Sequence, residues 1–269
     1  MVKITGLTIY PVKSCRGINV DDIGIVETGL AYDRQWVVVD EHGRFVTQRT
    51  LPRMALIHTA LTETSLILTG ENSALHVPFD ARGARAKVTV WNDSCDGYDA
   101  GDQAAEWLSD FLELPVRLVG FDPTFQRLSN KQYTGDLSAR NAYSDGFPIL
   151  LISQASLDDL NSKLETPLPM NRFRPNIVID GIDAFDEDYV AHFSRPGLCL
   201  KPVKPCTRCE ITTTDQETGV RGEEPLLALS KYRIDERLKG VTFGQNIVVA
   251  EGIGQRLRVG DELMVEWNF

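Results

Sequence analysis

The chain has 269 residues, 42% of them hydrophobic and 25% charged, proportions ordinary for a globular protein of one or two domains. Its formal net charge of −10 at pH 7 argues against nucleic acid or an anionic membrane as the main partner. The five cysteines are odd in number and unevenly spaced, the start lacks a secretory signal, and no apolar stretch reaches the roughly 18 residues of a membrane helix. These features predict a cytoplasmic protein with reduced thiols.

The first hundred residues read mainly as short strands. Six stretches are rich in β-branched or aromatic residues and end at turn-forming residues: KITGLTIYPV, RQWVVVDEHG, RFVTQR, MALIHTALT, SLILTG and KVTVWN. The first clear helix is GDQAAEWLSDFLE, in which Ala104, Trp107, Leu108, Phe111 and Leu112 fall on one face.

A polar segment from 122 to 144 follows, either a linker or a loop over a cleft. FPILLISQASLDDLNSKLE then predicts a strand that runs into a helix at Ser153, and RPNIVID predicts another strand. EEPLLALSKYR predicts a helix with Pro225 in its first turn, and GQRLRVGDELMVEW a hairpin or a barrel-closing pair. Many short strands with few helices predict an α+β fold, predominantly β, with two β-barrel-like units decorated by a few helices.

A Cys-x-x-Cys pair, Cys206 and Cys209, lies in KPVKPCTRCEITTTDQETG. Structural zinc needs four ligands, and the other cysteines and the four histidines are scattered. A thioredoxin-like dithiol normally opens a helix, whereas EITTTD predicts a strand. Two inert, half-buried thiols remain an alternative. The nearby charges of Lys201, Lys204 and Arg208 favour a thiolate, which binds soft metals and attacks electrophilic sulfur.

Two further motifs could bind an anion. In YPVKSCRG a strand ends at a proline, and Lys13, Ser14 and Arg16 then offer donors, although a solvated turn is the ordinary interpretation. The strand-to-helix junction at Ser153, with Ser156 nearby, presents free N–H groups that suit a phosphate or simply cap the helix.

Two arginine motifs raise the same question. In NRFRPN, Arg172 and Arg174 would share one face of a strand, where they need either an anionic ligand or carboxylates. In DRQW, Arg34 either binds a ligand or pairs with its neighbour Asp33. Together, the thiolate candidate and these motifs suit one large anionic cofactor held at both ends.

Six stretches occur here in the order found in one protein family: YPVKSCRG, DRQW, DGFPILLIS followed by ASLDDLN, RFRPNIVI, KPCTRC followed by ITTTD and ETG, and FGQN. The chain resembles the molybdenum-cofactor sulfurase C-terminal (MOSC) family over nearly its whole length. The resemblance is to the branch with an N-terminal MOSC-associated β-barrel domain, which includes the mitochondrial amidoxime-reducing component and a bacterial reductase that detoxifies hydroxylaminopurine. It implies an N-terminal domain at 1–120 and a MOSC domain at 121–269.

The resemblance also implies a pterin-dithiolene molybdenum cofactor held between the two domains. Cys209 falls on the position of the protein ligand to molybdenum, a soft metal for which sulfur is a suitable donor. The positions expected to bind the cofactor are Lys13, Ser14, Arg34, Ser153, Ser156, Arg174, Asn176 and Arg208. The role of Cys206 stays open.

The implied reaction is the two-electron reduction of a small N-hydroxylated compound to an amidine or amine and water. We expect neither an internal iron–sulfur cluster nor a membrane anchor, so the resemblance implies a separate ferredoxin- or flavodoxin-like electron donor with its reductase. The alternative is a carrier of molybdenum cofactor or of sulfur, as a persulfide, without reductase activity.

Overall fold

The computed structural model describes residues 1–71 and 73–268, and their secondary structure is mainly β. The helices are α1 (Asp102–Leu112), α2 (Lys131–Thr134), α3 (Gln154–Asn161) and α4 (Leu226–Leu229). The strands are β1 (Val2–Ile9), β2 (Ile18–Asn19), β3 (Asp22–Val26), β4 (Gly29–Leu30), β5 (Trp36–Val39), β6 (His58–Leu61), β7 (Ser65–Thr69), β8 (Ala74–Pro78), β9 (Arg85–Val90), β10 (Asp93–Asp99), β11 (Arg117–Phe121), β12 (Arg127–Leu128), β13 (Arg140–Asn141), β14 (Ile149–Ser153), β15 (Ile177–Asp180), β16 (Val190–Arg195), β17 (Leu198–Thr207), β18 (Ile234–Asp235), β19 (Gly240–Glu251), β20 (Arg256–Arg258) and β21 (Glu262–Trp267). The predicted α+β fold, predominantly β, is confirmed.

Seven strands close into a barrel in the order β14-β15-β1-β21-β16-β17-β19, and β19 pairs back with β14. The β14–β15 pair is parallel and the others are antiparallel. Alternate side chains of these strands fill the interior, as the two-residue period of a strand requires. In β1 a bulge between Ile4 and Gly6 shifts that period, so Val2 and Ile4 point inward before it and Leu7 and Ile9 after it.

The first strand therefore pairs with strands from the far end of the chain rather than with its sequence neighbours. The predicted division into 1–120 and 121–269 stays a prediction, and strand pairing does not follow it, because β1 completes the barrel that residues 149–267 otherwise form.

Most of the remaining N-terminal strands form a second unit. A four-stranded sheet, β5-β11-β10-β9, packs one face against the three-stranded sheet β6-β7-β8 and α1. Its other face is covered by residues from the 122–144 segment, including Tyr143. Burial on both faces explains why all four residues of β5, Trp36–Val39, are apolar and buried.

Three local predictions were wrong. RFVTQR forms only isolated bridges and no strand. EITTTD forms a 3-10 turn at Glu210–Thr213 instead of a strand. Of the two interpretations of the final segment, the hairpin is wrong, since β20 pairs with β3; of the expected barrel-closing pair only β21 joins the barrel, between β1 and β16. For the final segment the partners lie far away in sequence, so local propensity does not decide the structure.

The 122–144 segment is ordered rather than a plain linker. It contains β12, α2 and β13, and the buried Arg127 donates hydrogen bonds to the carbonyl oxygens of Ala142 (2.9 Å), Ser144 (2.6 Å) and Asp145 (3.2 Å). This arginine fixes the backbone that leads into β14. Among the described residues, no helix combines the length and apolarity needed to cross a bilayer.

Candidate functional site

A cleft lies where the end of the barrel meets the N-terminal unit. The barrel side contributes the start of β14, the 173–176 segment and the chain that leaves β17, and the other side contributes residues near 13–14, 34 and 47–49. The predicted site residues found in the cleft wall are Lys13, Ser14, Arg34, Arg174, Asn176, Arg208 and Cys209. Cys206 lines it too.

Prolines direct the cysteine segment into the cleft. The pairing of β17 with β19 shifts register between Pro202 and Lys204, and again between Pro205 and Thr207. A proline has no N–H to donate to the ladder, so strand pairing is interrupted there. The chain then leaves the barrel wall, and Cys209 immediately precedes the 3-10 turn of Glu210–Thr213.

Cys206 and Cys209 are both half-buried and free. Arg208 Nη1 donates a hydrogen bond to Cys206 Sγ (3.0 Å), and Arg208 Nη2 donates to the carbonyl oxygen of Phe173 (2.7 Å). No described residue accepts a hydrogen bond from the buried Arg208 Nε. The segment thus places a soft donor atom next to a guanidinium group that is only partly satisfied.

Lys13 is buried and held from two sides. Its Nζ donates hydrogen bonds to the carbonyl oxygen of Tyr143 (2.8 Å) and to Asp145 Oδ1 (2.6 Å). Burial lowers the pKa of Lys13, and the Asp145 carboxylate opposes that shift. The Asp145 side chain is exposed, and although desolvation by the atoms packed around it acts to raise its pKa, Lys13, Trp91 and Arg49 hold this pKa well below its ordinary value.

Arg34 and Arg174 meet at one aromatic ring. Their guanidinium carbons lie 4.3 and 4.2 Å from the centroid of Tyr10, within the range of cation–π attraction. Burial raises the pKa of the Tyr10 hydroxyl to about 12, although both arginines oppose that shift. The Tyr10 hydroxyl therefore stays neutral, and the ring binds two like-charged guanidinium groups side by side by cation–π attraction.

The two arginines differ in their counter-charges. Arg34 Nη1 donates to both oxygens of the buried Asp33 (2.7 and 2.6 Å), so the ordinary ion-pair interpretation holds for it. Arg174 donates to the carbonyl oxygen of Cys15 (2.7 Å) and to Gln216 Oε1 (3.3 Å), and no described carboxylate lies within ion-pair distance. Burial lowers the pKa of Arg174 to about 10, and the charge of Arg34 adds to this effect.

The prediction that Arg172 and Arg174 share one face of a strand is wrong. Met170–Arg172 form a 3-10 turn, and Arg174 adopts a left-handed φ of 56°, so the two side chains diverge. Arg172 pairs with Asp215 (3.3 Å) outside the cleft, while Arg174 enters it. Ser14 and Arg34 also have left-handed φ values, 67° and 48°. Non-glycine residues in this conformation concentrate at functional sites, because the surrounding structure must over-determine them.

Asn176 positions its neighbours. Its Oδ1 accepts from Arg34 Nη1 and from the backbone N–H of Leu150 (both 3.1 Å), and its Nδ2 donates to Asp33 Oδ1 (3.0 Å). The side chain thus links β14 to the charged pair of the N-terminal unit.

Ser153 and Ser156 lie elsewhere. Ser153 caps α3, as its Oγ accepts from the Ser156 N–H (3.1 Å), and both residues are fully buried. Their hydroxyls donate to the buried carboxylate of Glu187, at 2.9 Å from Ser153 and 2.8 Å from Ser156. The N-terminus of α3 therefore already holds an anion supplied by the chain, and cofactor binding by these serines stays a prediction.

Sequence reasoning missed two cleft residues, Arg49 and Asp145. Arg49 stacks on Trp91, with its guanidinium carbon 4.1 Å from the ring centroid. No local sequence signal identifies Arg49 as a cleft residue, since it lies in RFVTQR, a stretch interpreted as a strand. Asp145 precedes β14 in the DGFPILL motif, and its turn-forming neighbour Gly146 was the available signal.

The cleft is strongly cationic in a chain of net charge −10. Five cationic side chains line it, namely Lys13, Arg34, Arg49, Arg174 and Arg208. Among the residues described, only Lys13 and Arg34 of these five have a carboxylate within ion-pair distance. Of the three without a carboxylate, Arg174 is buried and Arg49 and Arg208 are half-buried; a buried cation without a counter-charge is costly, so this arrangement suits an anionic ligand. No group of three or more His, Cys, Asp or Glu side chains capable of holding a metal occurs in residues 1–71 and 73–268.

Comparison with known proteins agrees with this architecture. The MOSC N-terminal β-barrel domain matches residues 1–115, and the MOSC domain matches residues 138–264. Mitochondrial amidoxime-reducing component 1 of Mus musculus is 35% identical over 273 residues, covering 96% of this chain and 80% of the relative. The Homo sapiens protein of the same name is 36% identical over 275 residues, covering 96% and 81%. Mitochondrial amidoxime reducing component 2 of Rattus norvegicus is 36% identical over 277 residues, with the same coverage.

These matches confirm the predicted β-barrel nature of the N-terminal unit. At this identity and coverage, the chain belongs to the MOSC family, in the branch with an N-terminal MOSC β-barrel domain to which the mitochondrial amidoxime-reducing components belong.

Proposed function

We propose that this protein binds a pterin-dithiolene molybdenum cofactor in the cationic cleft and reduces N-hydroxylated compounds such as amidoximes. The observation that carries the proposal is the juxtaposition of Cys209 with three guanidinium groups, those of Arg49, Arg174 and Arg208, that lack carboxylate partners among the described residues. The relatives named above as amidoxime-reducing components support the substrate class.

The residues present fit such a cofactor. Arg208 Nε is buried without an acceptor, and Arg174 is a buried cation without a carboxylate partner whose pKa is lowered by burial and by the charge of Arg34. A phosphate or pterin oxygen would satisfy both groups. Thiolate sulfur is a suitable ligand for a soft metal, and Cys209 is the predicted metal ligand. Lys13, Ser14, Arg34, Asn176 and Arg208 complete the set that would hold the cofactor.

When bound, the cofactor supplies the two electrons that cleave the N–O bond of the substrate. The reduction also consumes two protons, so that the hydroxyl oxygen leaves as water and the nitrogen becomes an amidine or amine. The protein contributes orientation, charge and access.

Within the cleft, Asp145 is ionised at neutral pH because Lys13, Trp91 and Arg49 hold its pKa low. It therefore accepts a hydrogen bond from Lys13 Nζ rather than donating a proton. Lys13 Nζ carries the hydrogen that points toward Asp145 Oδ1, and this pair fixes the edge of the cleft.

We further propose that the electrons come from a separate ferredoxin- or flavodoxin-like donor with its reductase, and that the protein acts in the cytoplasm. The word "component" in the relatives' names supports a system of several proteins.

The first test is metal analysis of protein produced in a host that makes the cofactor. We expect about one molybdenum per chain and conversion of benzamidoxime to benzamidine with an artificial electron donor. Cys209→Ser should lose both properties while keeping the thermal unfolding transition. Full molybdenum content in the Cys209→Ser protein contradicts the ligand assignment, and absence of molybdenum from the unsubstituted protein refutes the proposal.

The second candidate, a sulfur carrier, is favoured by one contact, the hydrogen bond from Arg208 Nη1 to Cys206 Sγ, which would stabilise a thiolate or persulfide there. Persulfide labelling of Cys206 or Cys209 in molybdenum-free protein distinguishes this candidate from the reductase.

A further inference from the structure

A second cavity lies on the N-terminal unit, away from the cysteine segment. It encloses about 500 Å³, which is within the usual range for small-molecule sites, and shares none of its lining residues with the cationic cleft. Residues 32–36 separate the two, because Tyr32, Gln35 and Trp36 face this cavity while Arg34 faces the cleft.

Aromatic rings form one wall of the cavity. The Phe79 ring centroid lies 5.2 Å from that of Tyr32 and 5.9 Å from that of Trp36, with interplanar angles of 30° and 33°. Phe121 and Tyr98 also line it. The three rings pack on one another and are tilted by about 30°, so together they form one apolar face against which a flat aromatic ligand can lie.

An indole N–H opens onto the cavity without a protein partner. No described residue accepts a hydrogen bond from Trp36 Nε1, and this atom is accessible from the cavity rather than buried. By contrast, the indole nitrogens of Trp91 and Trp107 donate to Asp145 Oδ1 (3.0 Å) and Ser73 Oγ (2.8 Å). Trp36 Nε1 lies 3.3 Å from the point that a Cβ on Gly120 would occupy, and both residues line the cavity. A ligand oxygen in the cavity could accept this hydrogen bond in place of water.

A free cation lies at the rim. Arg82 is exposed, its guanidinium carbon is 5.2 Å from the Tyr98 ring centroid, and no carboxylate of the described residues is within ion-pair distance. The other arginine of the lining, Arg140, is already paired with Glu27. The net charge left at the rim is therefore positive.

We propose that this cavity is a second binding site for a small aromatic carboxylate. Its ring lies against Tyr32, Phe79 and Trp36, one oxygen accepts the Trp36 Nε1 hydrogen, and its charge is balanced by Arg82. The site is independent of the function proposed for the cleft.

The test is calorimetric titration of the full chain, produced in the cofactor-competent host, with 1-naphthoate as the probe. We expect saturable binding of one probe per chain. Gly120→Ala should weaken binding roughly 10-fold, because the added methyl group covers the N–H that the probe needs. Arg82→Gln should weaken it roughly threefold, as expected for an exposed charge pair.

Arg85→Gln is the matched control. Arg85 also lies near Tyr98, with its guanidinium carbon 5.5 Å from the ring centroid, but it contacts Asp122 (3.6 Å) and does not line the cavity. The affinity of the Arg85→Gln protein for 1-naphthoate should stay unchanged. Thermal unfolding of each variant checks that it folds, and Arg82→Gln, at an exposed position, keeps the test decisive if Gly120→Ala unfolds.

Absence of saturable binding overturns the proposal. Binding that neither Gly120→Ala nor Arg82→Gln weakens also overturns it, because the probe then lies elsewhere, for example in the cationic cleft. Equal affinity for the neutral 1-naphthamide overturns the assignment of a carboxylate.

Discussion

The cationic cleft and the N-terminus of α3 are both anion sites that local chemistry suggests, yet they differ in what fills them. At α3, the chain supplies its own anion: Glu187 is fully buried and accepts hydrogen bonds from Ser153 and Ser156. In the cleft, Arg174 and Arg208 have no described carboxylate partner. A satisfied site of this kind contributes to stability, whereas an unsatisfied one is available to a ligand.

Arg174→Met is the sharpest test of the cationic cleft, the anion site that the chain leaves without a carboxylate. Removing this buried cation should reduce molybdenum per chain roughly 10- to 100-fold, the effect of losing one charge-assisted hydrogen bond to the ligand. Arg174→Met also leaves the buried carbonyl oxygen of Cys15 unpaired, but it removes no carboxylate pair, so the free energy of unfolding should fall by only about 1–2 kcal/mol. Metal analysis and urea denaturation measure the two effects.

Arg172→Met is the control for this prediction. It lies two residues away, but its guanidinium pairs with Asp215 outside the cleft. Molybdenum content should be retained. An equal loss in both variants would show that the change acts through folding rather than through the cleft.

Changes at the N-terminus of α3, where Glu187 already fills the anion site, should affect stability rather than molybdenum content. Glu187→Ala leaves buried hydroxyl and N–H groups unpaired and should lower the free energy of unfolding by about 3 kcal/mol. Molybdenum per folded chain should not change. Glu217→Ala, which breaks only the exposed pair with Arg16 (2.5 Å), should stay within about 0.5 kcal/mol of the unsubstituted protein.

Glu187 also predicts a pH dependence. Burial raises its pKa above the ordinary 4.5, although the hydrogen bonds from Ser156 and Ser153 oppose this shift. At pH values between the unfolded and folded pKa of Glu187, the folded state binds more protons than the unfolded state. The stabilisation from this protonated carboxyl group is therefore complete below pH 4.5 and declines as the pH rises through the folded pKa. Unfolding free energies measured from pH 4 upward should show this decline in the unsubstituted protein but not in Glu187→Gln. Equal slopes would contradict the assignment.

The smallest effect expected is that of Cys206→Ser. A serine hydroxyl can still accept the hydrogen bond from Arg208 Nη1, so molybdenum content should change by less than about twofold. Cys209→Ser, in the same segment, should lose the metal. Equal losses in the two variants would show that the cysteines act as a pair.

Much of the fold follows from local pattern. The apolar run of β14 leading to a Ser153-capped α3 is specified by adjacent residues, and the structure has both. The hairpin interpretation of GQRLRVGDELMVEW failed because β20 pairs with β3 and β21 with β1, strands about 230 to 260 residues earlier in the chain, while β21 also pairs with β16 in the barrel. No short-range signal encodes such a choice between partners.

The sequence by itself determined the chemistry that is available: a half-buried thiol pair, positive charge around it, and separated Lys, Ser and Arg motifs that suit an anion. Only the tertiary structure decided which of these charges are neutralised. Arg34 meets Asp33, Arg172 meets Asp215, and the two serines of α3 meet Glu187, while Arg174 and Arg208 face the cleft. The physical reason is that the free energy of a buried charge depends on neighbours within a few ångströms, and most of those neighbours come from distant parts of the chain.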